Sequence, residues 1–585
     1  MSSTDGAGAV APRKTFLGHP RGLVILFLTE MWERFSYYGM RALLVLYLTQ
    51  HFLFGPAEAQ GIYAAYAALV YLMPVVGGLL ADKYLGSRKA VIIGAVLLVA
   101  GHFTMAFEGN GGREFLTVGG SEYAIEVEGR DTDRQLFALT GETRVPISIS
   151  PEGIRVVDVA GQPAGSGLQI ATAAGFPTTI GADGYSTRIQ RDLSAEPVLF
   201  LALSLIIVGV GFLKANISTV VGHLYDENDP RRDGGFTIFY VGINLGAVLA
   251  TLVCSWLGIA YGWAWGFGLA GIGMLLGLAT FILGQSWLEG RGAPPQPERL
   301  SRRSFLGLPF EAIFWIGGLI AVLPVWMLMQ RHAIIEAALP VLAGVIFAAV
   351  VGYTVIKLKG AERTRMLVAQ VLIFFSVLFW ALFEQAGSSL TLFADQSTRM
   401  PGWLNVGQTQ FFNPGIIVVL GPVMAALWVW MAKRRIEPST PVKFSFGLAF
   451  VGAGFLLLSW AAVTQAGVDF RVPLMFLFLT YLLHTIGELC LSPVGLSMIT
   501  KLSVDRVVGL MMGVWFLSSS VAHIVAGQIA KATATDTVAG VVTNPALALQ
   551  TYGSIFGTIG WVGVGTGVLL LVLSPVLKKG MAGVN

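Results

Sequence analysis

The chain has 585 residues, 55% of them hydrophobic and only 12% charged, with a mean hydropathy of +0.70. A soluble protein carries about 25% charged residues, so this composition excludes a soluble enzyme or binding module and implies a polytopic membrane protein. The net charge of +4 says little as a sum, because its distribution along the chain is what orients a membrane protein.

The two cysteines, Cys254 and Cys490, lie in apolar stretches and form no disulfide framework or metal spacing. Residues 1–19 are small, polar and basic and read as a disordered tail. Apolar spans then follow near 22–50, 57–81, 89–107, 197–222, 236–256, 262–286, 307–329, 337–357, 367–393, 412–433, 444–465, 472–499, 508–532 and 552–576, which makes fourteen. The first span carries charges and lacks a small-residue cleavage site, so it reads as a retained helix.

Lys and Arg orient the spans. With the amino terminus inside, the inner loops hold Lys83, Arg88 and Lys89, then Arg231 and Arg232, Arg302 and Arg303, Lys357 and Lys359, Lys433 to Arg435, Lys501 and Arg506, and Lys578 and Lys579. The outer loops are much poorer, so both ends are expected inside.

Segment 108–196 breaks the pattern. Its stretches EFLTVGG, YAIEVEG, QLFALTG, VPISIS and IRVVDVAG read as short strands punctuated by Gly, Asp and Pro. It has no Lys and more acids than bases, and the topology places it outside. It is expected to be a small β-rich graft, open between a tolerated or stabilising appendage and a role in access to the membrane domain or in partner binding.

The chemistry begins in the first span. In TEMWERFSYYGMR, Glu30, Glu33, Arg34, Tyr37, Tyr38 and Arg41 recur at steps of three and four and share one helix face. A lone charge at the centre of a membrane helix costs about 2.5–3.5 kcal/mol, so this stripe faces a water-filled cavity or other charges. The alternative is a structural ion-pair network. The loop GGLLADKYLGSRKA offers Asp82 and Arg88 as a latch between helix ends. Three further membrane charges need partners: Lys214, Glu384 and Glu488. Opposite signs suggest Arg41 with Glu384 and Lys214 with Glu488, either as fixed bridges or as pairs that break as a pore alternates. A carboxylate whose cation leaves tends to take up a proton, which couples proton flow to movement. Asn244, four residues after Tyr240, and Asn413, three after Gln410, supply amides for a solute or for another helix. Tyr71, Trp380 and Trp515 read alone as packing aromatics, and His223 and His484 as structural. No nucleotide-binding loop, catalytic triad or metal cluster is present in the sequence, so neither an enzyme nor a nucleic-acid binder is expected.

Taken together, the ordered series Glu30-x-x-Glu33-Arg34-Phe35-x-Tyr37-Tyr38-Gly39 with Arg41, GGLLADKYLGSR, FLKANIS, FYVGINLG, WALFEQ, FFNP, GELCLSPVGLS and MMGVWFLSSS resembles the proton-dependent oligopeptide transporter family of the major facilitator superfamily. The resemblance covers nearly all the spans. It implies an all-α fold of six, two and six helices: a six-helix half over 20–107 and 197–290, an extra pair over 307–360, and a second half over 366–577. It implies a monomeric symporter of di- and tripeptides with protons, using no cofactor, in a cell inner membrane, with both termini cytoplasmic and 108–196 periplasmic. Arg41 and Lys214 would face the peptide carboxylate, and Glu488, Asn244 and Asn413 its amino end. Tyr37, Tyr38, Tyr71, Trp380 and Trp515 would line side-chain pockets. Glu30, Glu33, Arg34 and Glu384 would serve proton coupling, with Glu384 also gating against Arg41. The insert departs from the family's bacterial pattern. Two other readings stay open: a carrier of the same fold for nitrate, a drug or a peptide-like compound, and a transporter-like sensor working through the insert.

Overall fold

The computed structural model describes residues 15–131, 134–159, 161–226, 229–303, 307–491 and 495–584. Most of the expected N-terminal tail, and Ser492, Pro493 and Val494 of the GELCLSPVGLS motif, lie outside them.

Among the described residues, fourteen helices have spanning length: α1 Gly22–Gln50, α2 Pro56–Leu80, α3 Ser87–Met105, α4 Ala195–His223, α5 Arg232–Tyr261, α6 Trp263–Leu283, α7 Phe310–Met329, α8 His332–Lys357, α9 Gly360–Phe383, α10 Phe412–Lys433, α11 Thr440–Thr464, α12 Leu474–Leu491, α13 Val508–Ala532 and α14 Pro545–Gly580. Thirteen are also apolar enough to cross a membrane by composition; α1 is the exception because it carries Glu30, Glu33, Arg34 and Arg41. This is a multi-pass membrane protein.

Helices α1–α6 pack on one another, as do α9–α14, and the two halves meet where α2 crosses α13 and α5 crosses α10. Helix α7 lies on α4, while α8 touches α2 and α13, one from each half. Small residues make the close contacts. A Cβ on Gly77 of α2 would stand 2.0 Å from the Gly211 carbonyl oxygen of α4, so only glycine fits. Gly77→Val is expected to destabilise the protein by about 1–3 kcal/mol, read as a lower thermal midpoint in detergent; an unchanged midpoint would mean that α2 and α4 do not meet there.

The span expected over 367–393 is not one continuous helix. Helix α9 ends at Phe383, a 3₁₀ turn covers Glu384–Gly387, and a second helix runs Ser389–Ser397. The break is held from outside: Gln385 Nε2 donates to the Ala526 carbonyl of α13 at 3.0 Å, and Ser389 Oγ donates to Gln385 Oε1 at 2.6 Å. It turns the side chain of Glu384 toward α1.

The insert is a seven-stranded antiparallel sheet. Its strands are β1 Gly112–Val118, β2 Ser121–Glu128, β3 Gln135–Thr140, β4 Thr143–Ser150, β5 Gly153–Val156, β6 Thr179–Gly181 and β7 Tyr185–Arg191, in the order β6-β5-β4-β3-β2-β1-β7. All five strands read from the sequence are present. A short helix, Ser166–Ala173, closes the apolar side. The core under the sheet holds Leu116, Ile125, Leu136, Val145, Ile147 and Ile154, and also Val538 and Ala539 from the loop between α13 and α14. The insert therefore sits on the half of the molecule from which it does not spring. Glu114 of β1 accepts from the Ala539 N–H at 2.5 Å; burial raises its carboxyl above the ordinary range, and that hydrogen bond opposes the rise.

Candidate functional site

The site is built on α1, and its stripe is buried as the helical spacing requires. Glu30, Glu33, Arg34, Tyr37 and Arg41 are each less than a tenth exposed. Charges this deep need partners. Arg34 supplies one for both acids: its Nη2 lies 2.9 Å from Glu33 Oε1, and its Nε lies 3.2 Å from Glu30 Oε1. Its guanidinium also lies over the Tyr37 ring at 5.2 Å.

Two turns further on, Arg41 reaches across to the other half. Its Nη2 meets Glu384 Oε2 at 2.6 Å, and its Nε donates to Tyr63 Oη of α2 at 2.8 Å. The Arg41–Glu384 pairing expected from charge sign is thus present, at the break after α9. A Cβ at position 387 would stand 2.0 Å from Tyr63 Oη, so any residue larger than glycine there displaces the Tyr63 side chain.

The expected Lys214–Glu488 pair is not formed in this conformation. Lys214 Nζ, from α4, lies 3.8 Å from the centroid of the Tyr71 ring, a cation–π contact. Glu488, from α12, accepts from Asn413 Nδ2 of α10 at 2.8 Å, and the same amide donates to Thr485 at 3.0 Å. The two charges stand on opposite halves, each with a neutral partner. The reason is geometric: sign selects what attracts, while the helix positions decide what is within reach.

The two latch candidates of the inner loop, Asp82 and Arg88, have separate surroundings in this conformation. Asp82 is exposed in a π-helical turn, Ala81–Leu85, after α2. Arg88 instead donates to Gln285 in the segment after α6, so it ties α3 to its own half. Asn244 donates back to the Tyr240 carbonyl of its own helix at 3.0 Å, and Gln410 to Thr391 at 3.0 Å. Trp380 packs edge-on against Phe379 and Phe383, and Trp515 stands against Gly495. His484 is wedged against Phe455 at 4.6 Å, which fits its structural reading.

Two residues at the site escape sequence reasoning. Tyr63, the second partner of Arg41, stands in a run of small residues with no charge to mark it. His523 of α13 stacks on the other half's Tyr71 at 4.7 Å. A histidine inside the apolar run after MMGVWFLSSS is the signal that would have found it.

Two six-helix halves joined by an extra pair, with buried charges facing one another between them, define a secondary carrier of the major facilitator fold. A profile of the POT family matches residues 88–555. The chain belongs to that family, whose members are transporters rather than enzymes. It is 33% identical to Uncharacterized transporter YclF of Bacillus subtilis, over all of both chains. It is 32% identical to Peptide transporter YePEPT of Yersinia enterocolitica, over 90% of each. It is 30% identical to Dipeptide and tripeptide permease A of Erwinia pyrifoliae, over 96% of this chain and 94% of that one. Among solved structures, a mutant of peptide transporter POT in complex with alafosfalin superposes with a TM-score of 0.71 at 31% identity, over 98% of each chain.

Proposed function

We propose that this chain is a proton-coupled symporter that imports di- and tripeptides by alternating access. The observation that carries the reading is the pair of opposite charges on opposite halves, Lys214 and Glu488, not neutralised by each other. A short peptide brings a carboxylate and an ammonium to such a site, and its variable side chains meet aromatic walls. Arg41 and Lys214 take the carboxylate end; Glu488, Asn413 and Asn244 take the amino end; Tyr37, Tyr38, Tyr71, Trp380 and Trp515 border the side chains. Glu30, Glu33, Arg34 and Glu384 carry the coupling. A carboxylate stripped of its cation in a low-dielectric site favours the neutral, protonated form, so breaking the Arg34 and Arg41 pairs moves protons. No cofactor is needed; protons are the coupling ion. The carrier works as a monomer in a cell inner membrane, with both termini in the cytoplasm and the insert in the periplasm.

The test is uptake of labelled dialanine into proteoliposomes under an inward proton gradient, with short peptides, free amino acids and nitrate as competitors. Gradient-dependent uptake blocked only by short peptides is expected. Block by nitrate, or no uptake by folded protein, would overturn the peptide reading. In the same assay Asn413→Ala removes the donor that holds Glu488. A hydrogen bond to a charged group contributes about 1.5–3 kcal/mol, so the KM for dialanine is expected to rise about tenfold or more; an unchanged KM would take Asn413 out of the site.

A further inference from the structure

We propose that the β insert is a clasp on the carrier's gate: it is fixed to the N-terminal half, docks on the C-terminal half, and must let go of it before the path can open at the insert end. This rests on the alternating-access reading.

The root of the insert is stapled to the α1–α2 connection. Gly112 N donates to the His51 carbonyl at 2.7 Å, and the His51 ring meets the Glu108 carbonyl at 2.8 Å. A Cβ at Gly111, where φ is +64°, would stand 2.4 Å from the His51 oxygen. Where the chain leaves the sheet, Arg191 Nε donates to the Phe52 carbonyl at 3.2 Å, and its guanidinium lies 4.1 Å over the Phe54 ring. Both the entering and the leaving strand are thus held by the N-terminal half, so the sheet moves with it.

Other contacts of the insert reach the C-terminal half. Arg134 Nη2 pairs with Asp395 Oδ2 at 2.6 Å, and the two side chains are 8% and 2% exposed. Arg134 Nη1 donates to the Gly540 carbonyl at 3.0 Å. Glu114 holds the Ala539 N–H, and Val538 and Ala539 fill the sheet's core. Asp395 lies in the last turn of the short helix that follows Glu384, so the clasp grips the same piece of chain as the Arg41 gate. A body rigid with one half cannot keep a buried ion pair and a shared apolar core with the other half while the halves rock apart. An ion pair whose members both return to water separates at small net cost, which makes the docking reversible.

The test uses full-length protein carrying Gln60→Cys as a reporter. Gln60 is fully buried at the insert end of α2, beside Gly527 of α13, and the native Cys254 and Cys490 are buried. Its labelling by a membrane-impermeant maleimide reads opening at that end without any substrate. Glu114→Cys with Ala539→Cys, oxidised to a disulfide, is expected to slow labelling at least tenfold, with reversal by reductant. Arg134→Ala, which leaves the sheet's own core intact, is expected to speed labelling severalfold. Labelling unchanged in the oxidised pair, or unchanged in Arg134→Ala, overturns the clasp. Dialanine uptake by the reduced protein is read separately: its absence counts against the peptide reading and leaves the labelling result standing.

Discussion

Glu33→Gln is expected to abolish accumulation of peptide against its gradient while sparing exchange of one peptide for another. Glu33 is 1% exposed, and its partner is the adjacent Arg34. The amide keeps the shape and an acceptor for Arg34 but cannot take up or release a proton. One charge moving through 100 mV is worth about 2.3 kcal/mol, and 1.36 kcal/mol is a factor of ten, so a single lost proton lowers the accumulation ratio about fiftyfold. Counterflow in proteoliposomes preloaded with peptide needs no net proton movement and should continue. Full gradient-driven accumulation by the variant would remove Glu33 from the coupling path.

Arg41→Ala should be the most damaging substitution at the interface of the halves. The guanidinium holds Glu384 at 2.6 Å and Tyr63 at 2.8 Å. Removing it leaves a buried carboxylate without its cation, and breaking a buried pair from one side costs about 3–5 kcal/mol. Uptake should be undetectable and the thermal midpoint lower. The double variant Arg41→Ala with Glu384→Ala should recover the midpoint without recovering uptake, because it removes the orphaned charge but not the need for the gate. Arg41→Lys should give partial uptake, since lysine supplies the charge without the fork that reaches Glu384 and Tyr63 together. Wild-type uptake by Arg41→Ala would sink the gate.

How much of this was legible in the sequence depended on the kind of signal. The fourteen helices were, because length, hydropathy and the distribution of Lys and Arg agree along the whole chain, and α1 was recognisable despite its four charges because they share one face. Strands β1–β5 were legible from runs bounded by Gly and Asp. Strand β7 was not: five of its seven residues are exposed, so no alternation marks it, and its pairing with β1 makes it a strand. The break at Glu384 was hidden in an apolar run, because what holds it is Gln385 reaching α13, a contact between distant segments. The same limit explains why opposite sign picks out Arg41 with Glu384, which meet here, but does not reveal that Lys214 and Glu488 stand apart in this conformation or that Arg88 turns to Gln285.

The insert's core has a consequence for how the protein is made. The sheet is synthesised between α3 and α4, yet two residues of its apolar core, Val538 and Ala539, lie in the loop before the last helix. A ribosome delivers the whole sheet long before it delivers those residues. The insert therefore waits with one side of its core open to water until α13 and α14 are in place. Its completion marks the end of assembly: a truncated chain that lacks the last two helices leaves Leu116, Ile125 and their neighbours partly uncovered for the quality-control machinery to find.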